Sequence, residues 1–257
     1  MEHLIAPVRP SLFAELELII LTFCTGLQDA ISFPDYHCFA SNQTGNTVFL
    51  MLAVALPNLD GDMFVTANIG AALGFFLAGG WVTGQVGHIV GPRRRLWLVA
   101  CNLIQTCLVF AAAAIQYTAS GTRRGGGGGG GGGVRDEGID ATGWRAVVVV
   151  GLLAFASGSQ VVQSRALRMT EISTAMATAA WVDLLIDPSL FGLHNRPRNR
   201  RVAFLVTLVL GSLAGAYIYK AAGSAVAVFV SACGKLLVTA MYLFNEGEKE
   251  KVSQEAV

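Results

Sequence analysis

SNQTGNTVFLMLAVAL, residues 41–56, decides how this chain must fold: it opens on polar and small residues, closes on apolar ones, and is too short to cross a bilayer cleanly. A helix needs about 20 apolar residues to span the hydrocarbon core. Lengthening the apolar part backwards would bury Asn42, Gln43, Thr44 and Asn46. A second stretch of the same kind, ISTAMATAAWVDLLI (172–186), lies in the other half of the chain. Each follows a longer apolar segment ending in a small-and-glutamine patch, Thr25-Gly26-Leu27-Gln28 and Ser157-Gly158-Ser159-Gln160. Paired short segments in related halves point to a solute site near the bilayer midplane.

Working outward, six stretches are long enough to span: about 12–33, 64–84, 96–118, 144–163, 202–221 and 224–244. Hydrophobic residues make up 53% of the chain and charged residues 14%, with mean hydropathy +0.55. Soluble domains carry roughly 25% charge, so the chain belongs in a membrane. A net charge of +1 leaves no field that would draw nucleic acid. The first apolar stretch contains Glu15 and Glu17 and no small-residue cleavage site follows it, so it reads as a retained anchor rather than a signal peptide.

Loop charge then chooses the topology, because Lys and Arg in short loops concentrate on the cytoplasmic side. If both short segments return to the side they entered from, Arg9, Arg93, Arg94, Arg95, Arg165, Arg168, Arg196, Arg198, Arg200, Arg201, Lys249 and Lys251 share one face, with Lys220 opposite. If both segments cross, this bias nearly vanishes. The expected fold is therefore all-α and integral to the membrane, with six full transmembrane helices plus two short or re-entrant helices and both termini cytoplasmic; eight spans is the alternative.

Each half then has an odd number of crossings, which makes the halves inverted repeats, 1–121 and 144–245. Between them lies a Gly-rich flexible linker, 122–143, with unbroken glycine from 125 to 133, and a solvated tail occupies 246–257. Gly70 and Gly74 in the first half read as the counterparts of Gly211 and Gly215 in the second, at the spacing that lets membrane helices approach closely.

The candidate solute or proton path is drawn from the polar residues of these segments. Gln28 and Asp29 close the first helix, the latter one turn beyond Thr25. Ser41, Asn42, Gln43, Thr44, Gly45 and Asn46 form the densest polar group, able to turn a helix N-terminus toward an anion or dipole. Asp183, with Thr174, Thr178 and Trp181, gives the second short segment a polar component, and its burial would favour proton exchange. Gln160 completes the set. N-capping, helix-to-helix hydrogen bonding and interface placement are the structural alternatives for each. Lys235, inside the last span, reads as paired or snorkelling, with Asp183 or Asp29 as an attractive partner.

Other chemistries find no support. Cys24, Cys38, Cys101, Cys107 and Cys233 are odd in number and lack CxxC spacing, so neither a disulfide framework nor a zinc site follows. There is no HExxH, GxSxG, Walker or Rossmann pattern. No catalytic residue, metal or cofactor is expected, and the chain is read as not an enzyme.

TGLQDAISFPDYHCFASNQTGNTVFL (25–50) and TAMATAAWVDLLIDPSLFGLHNRPRNRRVAFL (174–205) resemble the two signatures of the YoaK-type membrane proteins, a domain-of-unknown-function family, in its fungal form. The resemblance runs from about residue 12 to 244. It implies a multi-pass membrane protein of unassigned substrate, with Asp29, Asn42, Thr44, Gly45, Asn46 and Asp183 as motif positions. The expected function is a secondary transporter or permease for an unidentified small solute, proton-coupled through Asp29 or Asp183. A non-transporting scaffold or accessory subunit is the alternative. Expected partners are the lipid bilayer and a small-molecule solute, with a homo-oligomer left open. The cellular membrane is unspecified.

Overall fold

A computed structural model describes residues 6–125, 141–192 and 194–247. Eight α-helices organise them: α1 Leu12–Tyr36, α2 Gln43–Ala55, α3 Thr66–Val90, α4 Arg95–Gly125, α5 Trp144–Ala166, α6 Ala177–Leu185, α7 Arg196–Ala222 and α8 Ser224–Met241. Polar side chains start three of them. Ser11 Oγ accepts the Ala14 N–H (3.2 Å), Asn42 Oδ1 that of Gly45 (3.3 Å) and Asn195 Oδ1 that of Arg198 (3.0 Å), each satisfying a donor the helix leaves open. Pro197 sits in the first turn of α7, where a missing N–H costs nothing. The helix α4 runs to Gly125, past the expected start of the linker at 122. Most of that linker and all but the first residues of the tail lie outside the described residues.

Six helices are long and apolar enough to cross a membrane: α1, α3, α4, α5, α7 and the α8 segment extended to Phe244. Hydrogen bonds fix which ends lie together. At one end, Val8 N–H donates to Arg93 O, Arg9 N–H to Glu246 O, and Arg200 bridges Glu15 and Glu171. At the other, Asn68 Nδ2 donates to both Tyr36 O (2.9 Å) and Ala141 O (2.8 Å). The first end gathers Arg9, Arg93, Arg94, Arg95, Arg165, Arg168 and the arginines of 196–201, and is called the basic end below.

The short helices do not cross. Ser41, before α2, bonds back to Asp29 of α1, and the turn after α2 is tied to the start of α3 by Asp60, which accepts the Thr66 N–H (2.8 Å). Both contacts lie at the end opposite the basic one. At the basic end, α6 packs against α7, and its Asp183 faces Arg201 across 3.9 Å.

The closest helix pairs are α3 with α5 and α1 with α7, and both are set by glycine. A Cβ on Gly26 would stand 2.6 Å from Leu208 O, and one on Gly158 would collide with Phe76 O. Reciprocally, Gly79 lies on the Phe155 carbonyl and Gly211 on that of Phe23. Each partner pair, 26 and 158, 79 and 211, 23 and 155, is separated by 132 residues. The expected pairing of Gly70 and Gly74 with Gly211 and Gly215 is corrected here. Gly211 and Gly215 do face α1, but Cβ atoms on Gly70 and Gly74 would meet nothing within 4 Å. The packing glycines of α3 lie further along the helix, at Gly79 and Gly80, where the helices cross.

The outward faces of α3 and α7 are apolar, with Leu77, Trp81, Ile89, Val209 and Tyr217 exposed. In a soluble protein such a surface would drive aggregation, whereas in lipid it is the required one. The polar side chains turn inward instead.

Candidate functional site

The polar residues that converge come from the long helices. On α8, Ser231, Lys235 and Thr239 recur every four residues and share one face. On α4, Asn102 is followed three and four residues later by Gln105 and Thr106, which share its face. All six are buried, as are Thr25 and Gln28 on α1, Thr83 on α3, and Ser159, Gln160 and Gln163 on α5. Five helices thus contribute polar side chains to one buried region, which extends from the middle of the spans toward the basic end.

Lys235 is its centre, 1% exposed. Its Nζ donates to Gln105 Oε1 (3.2 Å) and to Gln160 Oε1. Gln160 Nε2 in turn donates to Thr25 Oγ1 (2.9 Å), and Gln105 Nε2 to Ser159 Oγ (3.1 Å) and Gln163 Oε1 (2.9 Å). Thr83 Oγ1 donates to Ser159 Oγ (2.7 Å) and Gln28 Nε2 to Ser231 Oγ (2.8 Å). Asn102 Nδ2 secures the α8 backbone through Lys235 O (2.9 Å) and Thr239 Oγ1 (2.8 Å). Among the described residues no carboxylate lies within ion-pair distance of Lys235; the recorded ion pairs join Arg196, Arg200 and Arg201 to acids at the basic end.

A charged side chain at the centre of a spanning helix costs about 2.5–3.5 kcal/mol on insertion scales. A hydrogen bond to a charged group returns about 1.5–3 kcal/mol. Two amide oxygens are therefore enough to hold an ammonium in place, and they supply no negative charge against it. Lys235 is neither paired with Asp29 or Asp183 nor snorkelling, and this corrects the sequence-based expectation.

Of the residues predicted for the site, Gln28 and Gln160 join this cluster. Asp29 does not: its carboxylate accepts both the N–H (3.0 Å) and the hydroxyl of Ser41. The Ser41 to Asn46 group closes on itself. Buried Asn46 clamps Phe39, accepting its N–H (2.9 Å) and donating to its carbonyl (2.7 Å), while also donating to Gln43 Oε1. Gln43 Nε2 donates to Ala40 O, Asn42 caps α2, and Thr44 is exposed. A Cβ on Gly45 would press on the Phe39 ring at 3.3 Å, so the glycine serves the same turn.

The second short segment departs further. Asp183 is exposed rather than buried, with half its side chain accessible and Arg201 as its neighbour, and Thr178 is exposed too. Thr174 is buried in a left-handed conformation (φ 60°), and its hydroxyl has no hydrogen-bond partner among the described residues, a strained arrangement for a β-branched residue. The two short helices pack on α3 and α7 at opposite ends and share no interface. Their expected meeting at the midplane is overturned: α2 is held at one end by its Asn42 cap and turn contacts, and α6 at the other by its packing on α7 and the Asp183–Arg201 pair.

The cysteines are free, with Cys24, Cys38 and Cys101 buried. Burial pushes the Cys38 thiol up to about 12, with the nearby Asp29 charge adding to it. Among the described residues no group of three or more His, Cys, Asp and Glu could hold a metal.

Sequence reasoning overlooked Asn102, Gln105, Thr106, Ser231, Thr239 and Gln163. The available signal was polar residues every three or four positions inside otherwise apolar spans, the pattern of a buried helix face.

A family model described as a protein of unknown function, DUF1275, matches residues 18–241, and the chain belongs to that family. No curated protein and no solved structure matches the chain.

Proposed function

We propose that this DUF1275 member is a secondary transporter or permease for a small solute, with its solute path through the Lys235 cluster rather than through the short segments. One observation carries the reading: a buried lysine midway along α8, with no carboxylate within ion-pair distance among the described residues, is enclosed by glutamines, serines and threonines in the interior of the helix bundle. Intramembrane ionisable groups that face the interior of a helix bundle mark substrate or ion routes. The halves are read as inverted repeats, which the recurrence of the Gly26, Gly79, Gly158 and Gly211 contacts at 132 residues supports. Both termini are assigned to the cytoplasm on the strength of the basic end. The YoaK-type grouping, in its fungal form, rests on the motifs at 25–50 and 174–205. No catalytic role is proposed.

A non-transporting scaffold or accessory subunit is the second reading, favoured by the self-contained bonding of the Ser41 to Asn46 group. Purified protein in liposomes, given a pH gradient and a panel of labelled small solutes, separates the two. Transport predicts accumulation of at least one solute above empty vesicles, with or without dependence on the gradient. Uptake equal to that of empty vesicles across the panel sinks it.

A further inference from the structure

Lys235 presents an unusual charge balance. An ammonium has three donors, and the two recorded acceptors are neutral amide oxygens, of Gln105 and Gln160. The acids of α1 are engaged elsewhere. Asp29 holds Ser41, Asp35 bonds Ser224 and Tyr219, and Glu17 accepts from Asn245 Nδ2 (2.6 Å).

We infer that the Lys235 cluster is a binding site for a small monovalent anion, of carboxylate, nitrate or halide type. The inference rests on the transport reading for the site's purpose, though the binding itself can be tested alone.

The surrounding groups suit an anion better than a cation. A cation site in this position would present carboxylates, whereas this shell consists of Gln, Ser and Thr, each able to donate. Gln105 and Gln160 now direct oxygen at Lys235 and nitrogen at Ser159 and Thr25. Turning the Gln160 amide over directs its N–H toward the ammonium's neighbourhood, where it would bond an anion alongside Nζ, while Gln105 is held as it stands by the Gln163 oxygen. Thr25 can reverse in step and donate to the turned Gln160 oxygen, because a hydroxyl both donates and accepts. The anion also cancels the charge that burial penalises, so binding and neutralisation favour each other.

The test is thermal unfolding of the purified full chain in detergent, in sodium gluconate and in sodium chloride, nitrate, formate and acetate at equal ionic strength. At least one small anion should raise the wild-type midpoint by about 4 °C at saturation. Lys235→Gln should lose that rise. Gln160→Glu should lose it as well, by placing a permanent carboxylate on Nζ, and it decides the matter if Lys235→Gln does not fold. No anion-dependent rise in wild type, or a rise that survives in both variants, overturns the site. A rise that depends on Lys235, combined with liposomes that take up nothing, retains the site and rejects transport. Uptake of neutral or cationic solutes without any anion-dependent rise does the reverse.

Discussion

Gly26 on α1 and Gly158 on α5 make the same contact in different halves of the protein: each presses its bare Cα against a carbonyl of a neighbouring helix, that of Leu208 or Phe76. The residues on the receiving side reciprocate, Gly211 against Phe23 and Gly79 against Phe155. Lipid supplies no hydrophobic drive between helices, so closeness of approach decides how strongly they associate.

Alanine at Gly158 or Gly79 must therefore separate α3 from α5. The expected loss is about 1–3 kcal/mol, the usual cost of overpacking. Alanine at Gly70 or Gly74 meets open space and gains about 0.5–1 kcal/mol of helix propensity. Unfolding in mixed detergent, followed by circular dichroism, should place the two pairs on opposite sides of wild type. Equal effects from all four would mean that the α3 to α5 contact does not govern stability.

The spans and their ends were legible in the sequence because length, hydropathy and arginine placement are local properties. Asn42, Asn46 and Asp29 were likewise visible as a polar group, but hydrogen bonds to Ser41 and Phe39 determine whether such a group faces a solute or its own backbone. The Lys235 cluster was hidden for a different reason. Gln160 and Gln28 were in view, but Gln105, Gln163 and Ser231 are isolated polar residues on three helices, and only the packing of α1, α4, α5 and α8 brings them together. The glycine correspondence failed in the same way: spacing of four recurs along α3, and which pair meets α5 depends on where the helices cross.

Asn46 is expected to matter for folding rather than for solute binding. Its three hydrogen bonds fix the chain at Phe39 and Gln43, so Asn46→Ala leaves the half-buried Phe39 backbone groups without their side-chain partner, at about 1 kcal/mol. The variant should unfold earlier, yet the protein that remains folded should keep the wild-type response to anions. A lost anion response with unchanged stability would return this residue to the solute site.

Asp187 supplies a pH signature at the basic end. The Ser189 backbone N–H, opposed by partial desolvation and aided by Asn195 and the Arg201 and Arg198 charges, holds its carboxyl below the ordinary value of 3.8. A depressed carboxyl contributes stability in full above its unfolded value and loses it as pH falls through the folded one. The turn after α6 should thus stay protected against hydrogen exchange, after correction for intrinsic rates, down to pH below the usual carboxylate range. Asp187→Asn should remove this pH dependence. Protection that declines already between pH 6 and 5 would contradict it.

Topology gives the sharpest distinction, because six and eight spans place the same loops differently. Asp62, Arg94 and His194 are all exposed in loops outside the long helices, and each can carry a single cysteine. If α2 and α6 return to their own ends, cysteines at 94 and 194 lie on one face of the membrane and the cysteine at 62 on the other. If both short helices crossed, 62 and 194 would share a face and 94 would stand alone. An impermeant maleimide applied to sealed vesicles of known orientation reads this directly. Cys38 will not obscure the result, since its raised value leaves little thiolate at neutral pH. The hydrogen bonds from Ser41 to Asp29 and from Thr66 to Asp60 anchor both ends of the α2 excursion to the same end of the bundle, so the expected labelling pairs 94 with 194.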